Sequence, residues 1–137
     1  MNGVLVDTNV ISELTRDTPS AQIISFFVEH DELWLSTIVV HELKFGIELL
    51  PLGHRRDRIY SVFTDLVSQY SDRILPLGDS EATQAAIYRA QRHRAGRDLE
   101  LGDALIAGTA KVNGLALATG NIRDFEYLDL EVINPWD

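Results

Sequence analysis

The chain has 137 residues, of which 45% are hydrophobic, a formal net charge of −9 and no cysteine. This length and apolar content suit one ordinary domain, and we expect a single domain over residues 1–137 because no linker or repeat divides the chain. The lack of cysteine excludes disulfides, zinc–thiolate sites and thiol catalysis. The acidic balance argues against a broadly basic nucleic-acid surface. No signal-peptide pattern or membrane-length apolar stretch occurs, so we expect a cytoplasmic location without membrane contact.

Positive charge is concentrated in two arginine-rich stretches, at residues 55–58 and 89–97. Arginine pairs well with phosphates and carboxylates. The stretches are most simply two solvated helix faces, and they also fit a local contact with phosphate or with an acidic partner.

The first residues predict a strand followed by two helices. Residues 3–6 are too few for a helix and rich in aliphatic side chains, which favours a strand, and residues 7–9 offer N-cap chemistry for a helix over residues 10–16. Pro19 can open a second helix, whose core face is expected to hold Ile23, Ile24, Phe27 and Val28. Residues 33–36 then predict a second buried strand.

The third predicted helix carries an acidic residue beside its apolar stripe. Ser36 or Thr37 caps this helix, and Pro51 and Gly53 end it. Glu42 falls on the flank of the stripe, which comprises Val39, Leu43, Gly46, Ile47 and Leu50. A carboxylate in this position fits a site residue, and it fits equally well a surface glutamate with a packed stem.

The second half of the chain predicts three helices and three strands. A fourth helix covers residues 59–70, and residues 73–75 form a strand. The fifth helix, at 80–95, is expected to turn its alanines toward the core, namely Ala82, Ala85, Ala86 and Ala90. A helix of small and apolar residues is predicted at 101–110, and its ionisable group is Asp103. The helix dipole stabilises a carboxylate near the N-terminus, so this position alone does not show that Asp103 is a site residue. Residues 115–118 and 131–133 predict the last strands.

Strands alternating with helices predict an α/β fold with a mostly parallel central sheet and helices on both faces. In such sheets, ligands bind beyond the carboxyl ends of the strands. Asp7 follows the first strand, the helix of Glu42 follows the second, and residues 119–121 follow the strand at 115–118. We therefore expect these side chains at one edge of the sheet.

Three carboxylates, Asp7, Glu42 and Asp103, flank apolar segments in distant parts of the chain. Two like charges about 4 Å apart repel by roughly 4 kcal/mol at a protein margin, and a divalent cation with oxygen ligands relieves that repulsion. The sequence therefore predicts a hard-metal site if the fold brings the three acids together. A zinc-protease motif at His41 is excluded, because its second histidine position holds Phe45.

Four segments, in order and over nearly the whole chain, closely resemble the PIN-domain ribonucleases, and in particular the VapC-type toxins of the FitB-like branch. They read V-L-V-D-T-N-V-I-S-E-L at 4–14, L-S-T-I-V-V-H-E-L-K-F-G-I at 35–47, G-D-A-L-I-A-G-T-A at 102–110, and L-A-L-A-T-G-N-I-R-D-F from 115 with V-I-N-P-W at 132–136. The resemblance implies a PIN fold and RNA hydrolysis with Mg²⁺ or Mn²⁺ through a metal-activated water. It also implies a homodimer and a VapB- or FitA-like antitoxin that assembles with the toxin into a hetero-oligomer.

The resemblance also assigns site residues. It places the catalytic metal ligands on Asp7, Glu42 and Asp103, and a fourth ligand on Asn121 or Asp124, which compete for that role.

The residues around these ligands also have expected roles. Thr8 and Thr119 are expected to hold a carboxylate or a water through their hydroxyls, or to serve as helix caps. Many relatives carry arginine where this chain has Gly120, a departure that removes positive charge near the site. The candidate contacts to RNA or to the partner are Arg89, Arg92 and Arg97.

Two other classes of protein compete with the nuclease interpretation. A PIN-like domain that only binds a partner is disfavoured because all three acids are present. A receiver-type regulatory domain requires paired acids after its first strand and a lysine near a late strand. Here Val6, not an acid, precedes Asp7, and the only late lysine is Lys111. The receiver-type class is therefore disfavoured.

Overall fold

Five short strands form one parallel sheet in this computed structural model, which describes residues 3–137. They are β1 (Val4–Val6), β2 (Leu33–Ser36), β3 (Ile74–Leu75), β4 (Ala116–Ala118) and β5 (Val132–Ile133). Their order in the sheet is β3-β2-β1-β4-β5, and all four pairings are parallel. The parallel sheet confirms the predicted α/β class.

Six α-helices flank the sheet within residues 3–137, as the sequence predicts. They are α1 (Thr8–Glu13), α2 (Ala21–Glu29), α3 (Thr37–Glu48), α4 (His54–Gln69), α5 (Asp79–Arg94) and α6 (Leu101–Val112), and a short 3-10 helix (Ile122–Phe125) follows β4. Helix α1 begins two residues earlier than predicted, because Asp7 itself is the N-cap. None of these helices combines the length and the apolar character needed to cross a bilayer.

The order of the strands reverses between β1 and β4. From β1 the chain moves outward through β2 to β3, and then returns to place β4 on the other side of β1. The register pairs Val6 with Ala118, so the next residues, Asp7 and Thr119, lie at the carboxyl ends of adjacent strands. A crevice beyond the strand ends at such a reversal is where open parallel sheets bind ligands.

The core is built on the three central strands. Leu5, Val6, Leu35 and Leu117 are completely inaccessible to solvent. Burial of each such aliphatic side chain contributes about 1.5–3 kcal/mol to the stability of the folded state. This packing holds the strand ends in place beneath the crevice.

The predicted core face of α2 is partly wrong. Ile23 and Phe26 are buried, whereas Ile24 is 46% exposed and Val28 is 76% exposed. The helix is apolar on several sides, with Phe27 also half-buried, so its periodicity did not specify one face.

The predicted core face of α5 is also wrong except at Ala85. The structure exposes the alanines at 82, 86 and 90 and buries Tyr88 and Arg92 instead. These three buried residues share a helical stripe that packs beside α6. The error arose because an alanine gains little from burial, whereas the stripe contains a charged residue that hydrophobic periodicity does not count.

Candidate active site

Asp7 is held at the carboxyl end of β1, where its side chain is 4% exposed. Its Oδ1 accepts a hydrogen bond from the backbone N–H of Thr8 at 2.7 Å and so caps α1. Its Oδ2 accepts from Thr119 Oγ1 at 2.7 Å and from Asn9 Nδ2 at 3.3 Å. Burial raises the pKa of Asp7, the hydrogen bonds from Thr119 and Thr8 lower it, and the charges of Glu42 and Asp124 raise it further.

Asn9 and Thr119 tie the end of β1 to the end of β4. Asn9 Nδ2 also donates to Thr119 Oγ1 at 3.3 Å, and Asn9 Oδ1 accepts from the N–H of Gly120 at 3.1 Å. Thr119 is fully buried, and its Oγ1 accepts from the N–H of Asn121 at 3.0 Å. These bonds fix Asp7 and Asn121 relative to each other. Asn9 was not predicted as a site residue, although its place at the end of a strand beside an acid is a usable signal.

Glu42 reaches the same region from the second turn of α3. Its Oε1 accepts a hydrogen bond from Thr8 Oγ1. A Cβ added at Gly102 would lie 2.9 Å from Glu42 Oε2, so the glycine allows the first turn of α6 to approach this carboxylate closely. Both threonines beside the site thus direct their hydroxyls at carboxylates, Thr8 at Glu42 and Thr119 at Asp7.

Asp103 lies in the first turn of α6, after the N-cap residue Glu100. Burial raises the pKa of Asp103 to about 7, and the negative charges of four other acids add to the effect, namely Asp7, Asp124, Glu100 and Glu42. Burial alone would raise this pKa, but the four neighbouring acids also add negative charge around Asp103. The local field therefore favours a cation.

One cleft of about 600 Å³ brings the predicted residues together. Asp7, Glu42, Asp103 and Asn121 all line it. Asp124 instead lines a neighbouring cleft of about 650 Å³, which it shares with Asp103. Asn121 therefore shares a cleft with all three predicted acids, whereas Asp124 shares a cleft only with Asp103.

The donor set in the cleft suits a hard divalent cation, since it consists of carboxylate and amide oxygens. Within residues 3–137, no three His, Cys, Asp or Glu side chains are placed so that they could hold one ion together. The hydrogen bonds of Asp7 and Glu42 keep these two side chains directed at threonine hydroxyls. Mg²⁺ ordinarily retains several waters and takes only one or two carboxylates plus substrate phosphate, so the residues present fit such an ion.

The structure corrects the expectation that Arg92 contacts RNA or a partner. Arg92 is 4% exposed, and its guanidinium donates to the carbonyl oxygens of Arg97 at 3.1 Å, Asp124 at 2.8 Å and Glu126 at 3.3 Å. These bonds hold the 3-10 helix against the end of α5. Arg89 is exposed and lines the cleft of Asp124, while Arg97 pairs with Glu126 at 3.2 Å.

Gly120 lies directly under the ring of Trp136. A Cβ at position 120 would lie 2.7 Å from Trp136 Cζ3, so any larger residue would displace the indole. An arginine at position 120 would therefore require the ring of Trp136 to move.

We expect Thr119→Val to lower the free energy of unfolding by about 2 kcal/mol, because a buried carboxylate and a backbone N–H lose a hydrogen-bond partner. Thr119→Ser keeps the hydroxyl and should retain most of that stability. Chemical denaturation of both variants measures the difference. Equal stability of the two would show that the hydroxyl of Thr119 does not support Asp7.

Comparisons with known proteins agree with this architecture. The PIN domain family model matches residues 4–130, and the chain belongs to the PIN-domain family. It is 39% identical over 138 residues to the plasmid stability protein StbB of Pseudomonas syringae pv. tomato, across 98% of this chain and 99% of the relative. It is 32% identical to the VapC ribonuclease Y4jK of Sinorhizobium fredii, across 98% of both chains, and 32% identical to the toxin FitB of Neisseria gonorrhoeae, across 97% and 98%.

Solved structures show the same fold. FitAcB from Neisseria gonorrhoeae superposes with a TM-score of 0.90 at 32% identity, over 97% of this chain and 98% of the other. FitAB bound to the IR36 DNA fragment superposes with a TM-score of 0.91 at 30% identity, over 98% and 96%. The PIN-like fold predicted from the sequence is thus confirmed.

Proposed function

We propose that this protein is a Mg²⁺- or Mn²⁺-dependent endoribonuclease, the cytoplasmic toxin of a toxin–antitoxin pair. The observation that carries the proposal is the convergence of Asp7, Glu42 and Asp103 in one cleft at the point where the strand order reverses. The names of similar proteins, a VapC ribonuclease and the toxin FitB, support the substrate class and the role.

In this proposal, one or two of the carboxylates of Asp7, Glu42 and Asp103 would contact the cation directly, and the others, with Asn121 or Asp124, would hold it through its waters. When bound, a divalent cation lowers the pKa of a water molecule and neutralises charge on the phosphoryl and leaving oxygens. The hydrogen bonds of Thr8 and Thr119 orient two of the carboxylates. Asn9 fixes the loop that carries Asn121 relative to Asp7. Water is the nucleophile, so the chain contributes no covalent intermediate.

Cleavage of an end-labelled RNA by the purified protein tests the proposal. We expect cleavage with Mg²⁺ or Mn²⁺, none with EDTA, and a loss of about 10²-fold or more in Asp7→Asn, since a lost metal interaction of several kcal/mol has this effect on rate. Asp7→Asn keeps one side-chain oxygen, which can cap α1, and loses the oxygen that accepts from Thr119, so circular dichroism must show that the variant is folded before cleavage is compared. Asp65→Asn, an exposed acid on α4, is the matched control and should cleave normally.

Undiminished cleavage by folded Asp7→Asn, or full cleavage in EDTA, would refute the proposed chemistry. Sequencing of cellular RNA ends after brief expression, compared with the same variant, identifies the RNA target and the cut position.

The proposed partner is an antitoxin of the VapB or FitA type, and the proposed assembly is a toxin homodimer within a toxin–antitoxin hetero-oligomer. Support comes from the solved FitAB and FitAcB structures, which this chain resembles over nearly its whole length. Co-expression with the product of a neighbouring short reading frame, followed by light scattering, measures the stoichiometry. If the chain bound such a partner but cleaved no RNA, it would be an inactive partner-binding domain instead.

A further inference from the structure

Phe45 is an exposed aromatic residue in the wall of the acidic cleft. Its side chain lines the cleft together with Asp7, Glu42 and Asp103, yet 57% of its surface remains open to solvent. Single exposed apolar side chains are common on proteins, so the exposure of Phe45 matters only because of where the ring lies. Its position beside the carboxylates points to a ligand of the cleft.

His41 lies near Phe45, one helical turn earlier on α3. The two ring centroids lie 6.4 Å apart, and the ring planes differ by only 13°. His41 is exposed as well. The two side chains therefore present parallel flat faces along one side of α3, at the spacing of residues i and i+4.

The charges of the cleft give little help in binding a polyanion. Asp7, Glu13, Glu42, Glu100 and Asp103 line it, and Arg16 is the cation among its described lining residues. Arg16 is 69% exposed and pairs with Glu13 at 3.4 Å. Beyond the contact of a phosphate with the proposed cation, a nucleic-acid substrate would therefore gain affinity here from contacts that do not depend on its phosphates. Stacking of a base on an aromatic face is such a contact, because every base has an apolar face.

We infer that Phe45, with His41 near it, is a stacking platform for an unpaired RNA base beside the scissile phosphate. This inference rests on the proposed ribonuclease function and adds a substrate-binding residue to it. The platform favours single-stranded or looped RNA, since a base within a helix has no free face to offer.

The position of Phe45 favours RNA over a protein partner as its ligand. Leu49 and Leu52 are more exposed, at 69% and 87%, and a protein that covered the apolar end of α3 would bury these aliphatic side chains. Neither leucine lines the cleft, whereas Phe45 does.

The test compares Phe45→Ala, Phe45→Leu and Phe45→Tyr with the control Leu49→Ala. Steady-state cleavage of a short fluorescent RNA is measured with Mg²⁺ or Mn²⁺. The alanine and leucine variants should raise KM about tenfold with kcat within about twofold, because they remove binding common to the ground state and the transition state. Tyrosine should restore the wild-type KM, and Leu49→Ala should not change it.

A binding readout separates stacking from catalysis. Fluorescence anisotropy of the same RNA is measured with each substitution in an Asp103→Asn background, in which cleavage should be slow enough for binding to be measured. Phe45→Ala should weaken binding about tenfold, and Phe45→Tyr should not. If the wild type cleaves RNA but the KM and RNA affinity of Phe45→Leu are unchanged, the platform is refuted while the nuclease function stands.

Two further outcomes would overturn the inference. Loss of antitoxin co-purification by Phe45→Ala, with RNA affinity unchanged, would assign Phe45 to the protein interface. If the wild-type protein neither binds nor cleaves RNA under any metal condition, the proposed function itself fails, and the platform fails with it.

Discussion

Asp103→Asn is expected to lower the rate of RNA cleavage by about 10²- to 10³-fold while leaving the protein folded. Electrostatic stabilisation by a held cation contributes several kcal/mol, and each 1.36 kcal/mol is about tenfold in rate. Asp103 belongs to no cap, because the N-cap of α6 is Glu100. Its replacement by an isosteric amide removes charge without removing a structural contact.

The same substitution should remove a pH-dependent instability of the metal-free protein. The pKa of Asp103 is raised by burial and by its acidic neighbours from 3.8 to about 7. Between these values the folded protein keeps a proton that the unfolded chain has released, so the free energy of unfolding falls as pH rises from about 4 to about 7. Asparagine does not titrate, so the variant should lose less stability over this range.

Thermal denaturation in EDTA at pH 5 and pH 8, together with cleavage assays, checks both effects of Asp103→Asn. Asp79→Asn is the matched control, since Asp79 is an exposed acid in the first turn of α5. Mg²⁺ or Mn²⁺ should raise the melting temperature of the wild type at pH 8 more than that of Asp103→Asn. An identical response of both proteins would contradict a role for Asp103 in metal binding.

Arg92→Ala is expected to lower the free energy of unfolding by about 3 kcal/mol. The substitution leaves the carbonyl groups of Asp124, Glu126 and Arg97 without their charged donor and opens a cavity between α5 and the 3-10 helix. Because the 3-10 helix carries Asp124 beside Asp103, we also expect weaker binding of Mn²⁺.

Arg89→Ala is the matched control for this prediction, since Arg89 is exposed one turn earlier on α5. It should change stability by less than about 0.5 kcal/mol. Arg92→Lys keeps the charge but cannot reach three carbonyl groups at once, so its stability should be intermediate. Urea denaturation distinguishes the three variants, and wild-type stability of Arg92→Ala would show that the guanidinium does not fasten the 3-10 helix.

The order of β1, α1, β2 and α3 follows from the sequence because each of these two strands is followed by a residue whose side chain caps the next helix. Ser36 shows this directly, since it ends β2 and caps α3 through its Oγ, which accepts from the N–H of Val39 at 3.2 Å. The buried faces of α2 and α5 were not predictable in the same way. Hydrophobic periodicity cannot choose between several apolar sides, and it does not anticipate a buried arginine such as Arg92.

Parallel topology was enough to predict that Asp7 and Thr119 would lie at the same edge of the sheet. The strand order, which the sequence did not predict, makes β1 and β4 neighbours and so places the two residues side by side. Topology was not enough to predict the role of Asn9, which depends on a hydrogen bond to the backbone of a residue 111 positions away in the chain. The directions of the carboxylates depend likewise on hydroxyl partners that only the folded chain brings together.

Substitutions at Asp7 and at Asp103 should inactivate the protein in different ways, because Asp7 has a structural role as well as a proposed catalytic one. One oxygen of Asp7 caps α1 and the other is bound to Thr119, so a small apolar residue at this position would disable the fold as well as the chemistry. A lesion at Asp103 would instead leave an intact but harmless chain. Under the proposed function, such a chain would still bind the antitoxin. Cells that carry it should therefore be more sensitive to a fresh copy of the active gene, whereas cells that carry an unfolded Asp7 variant should not.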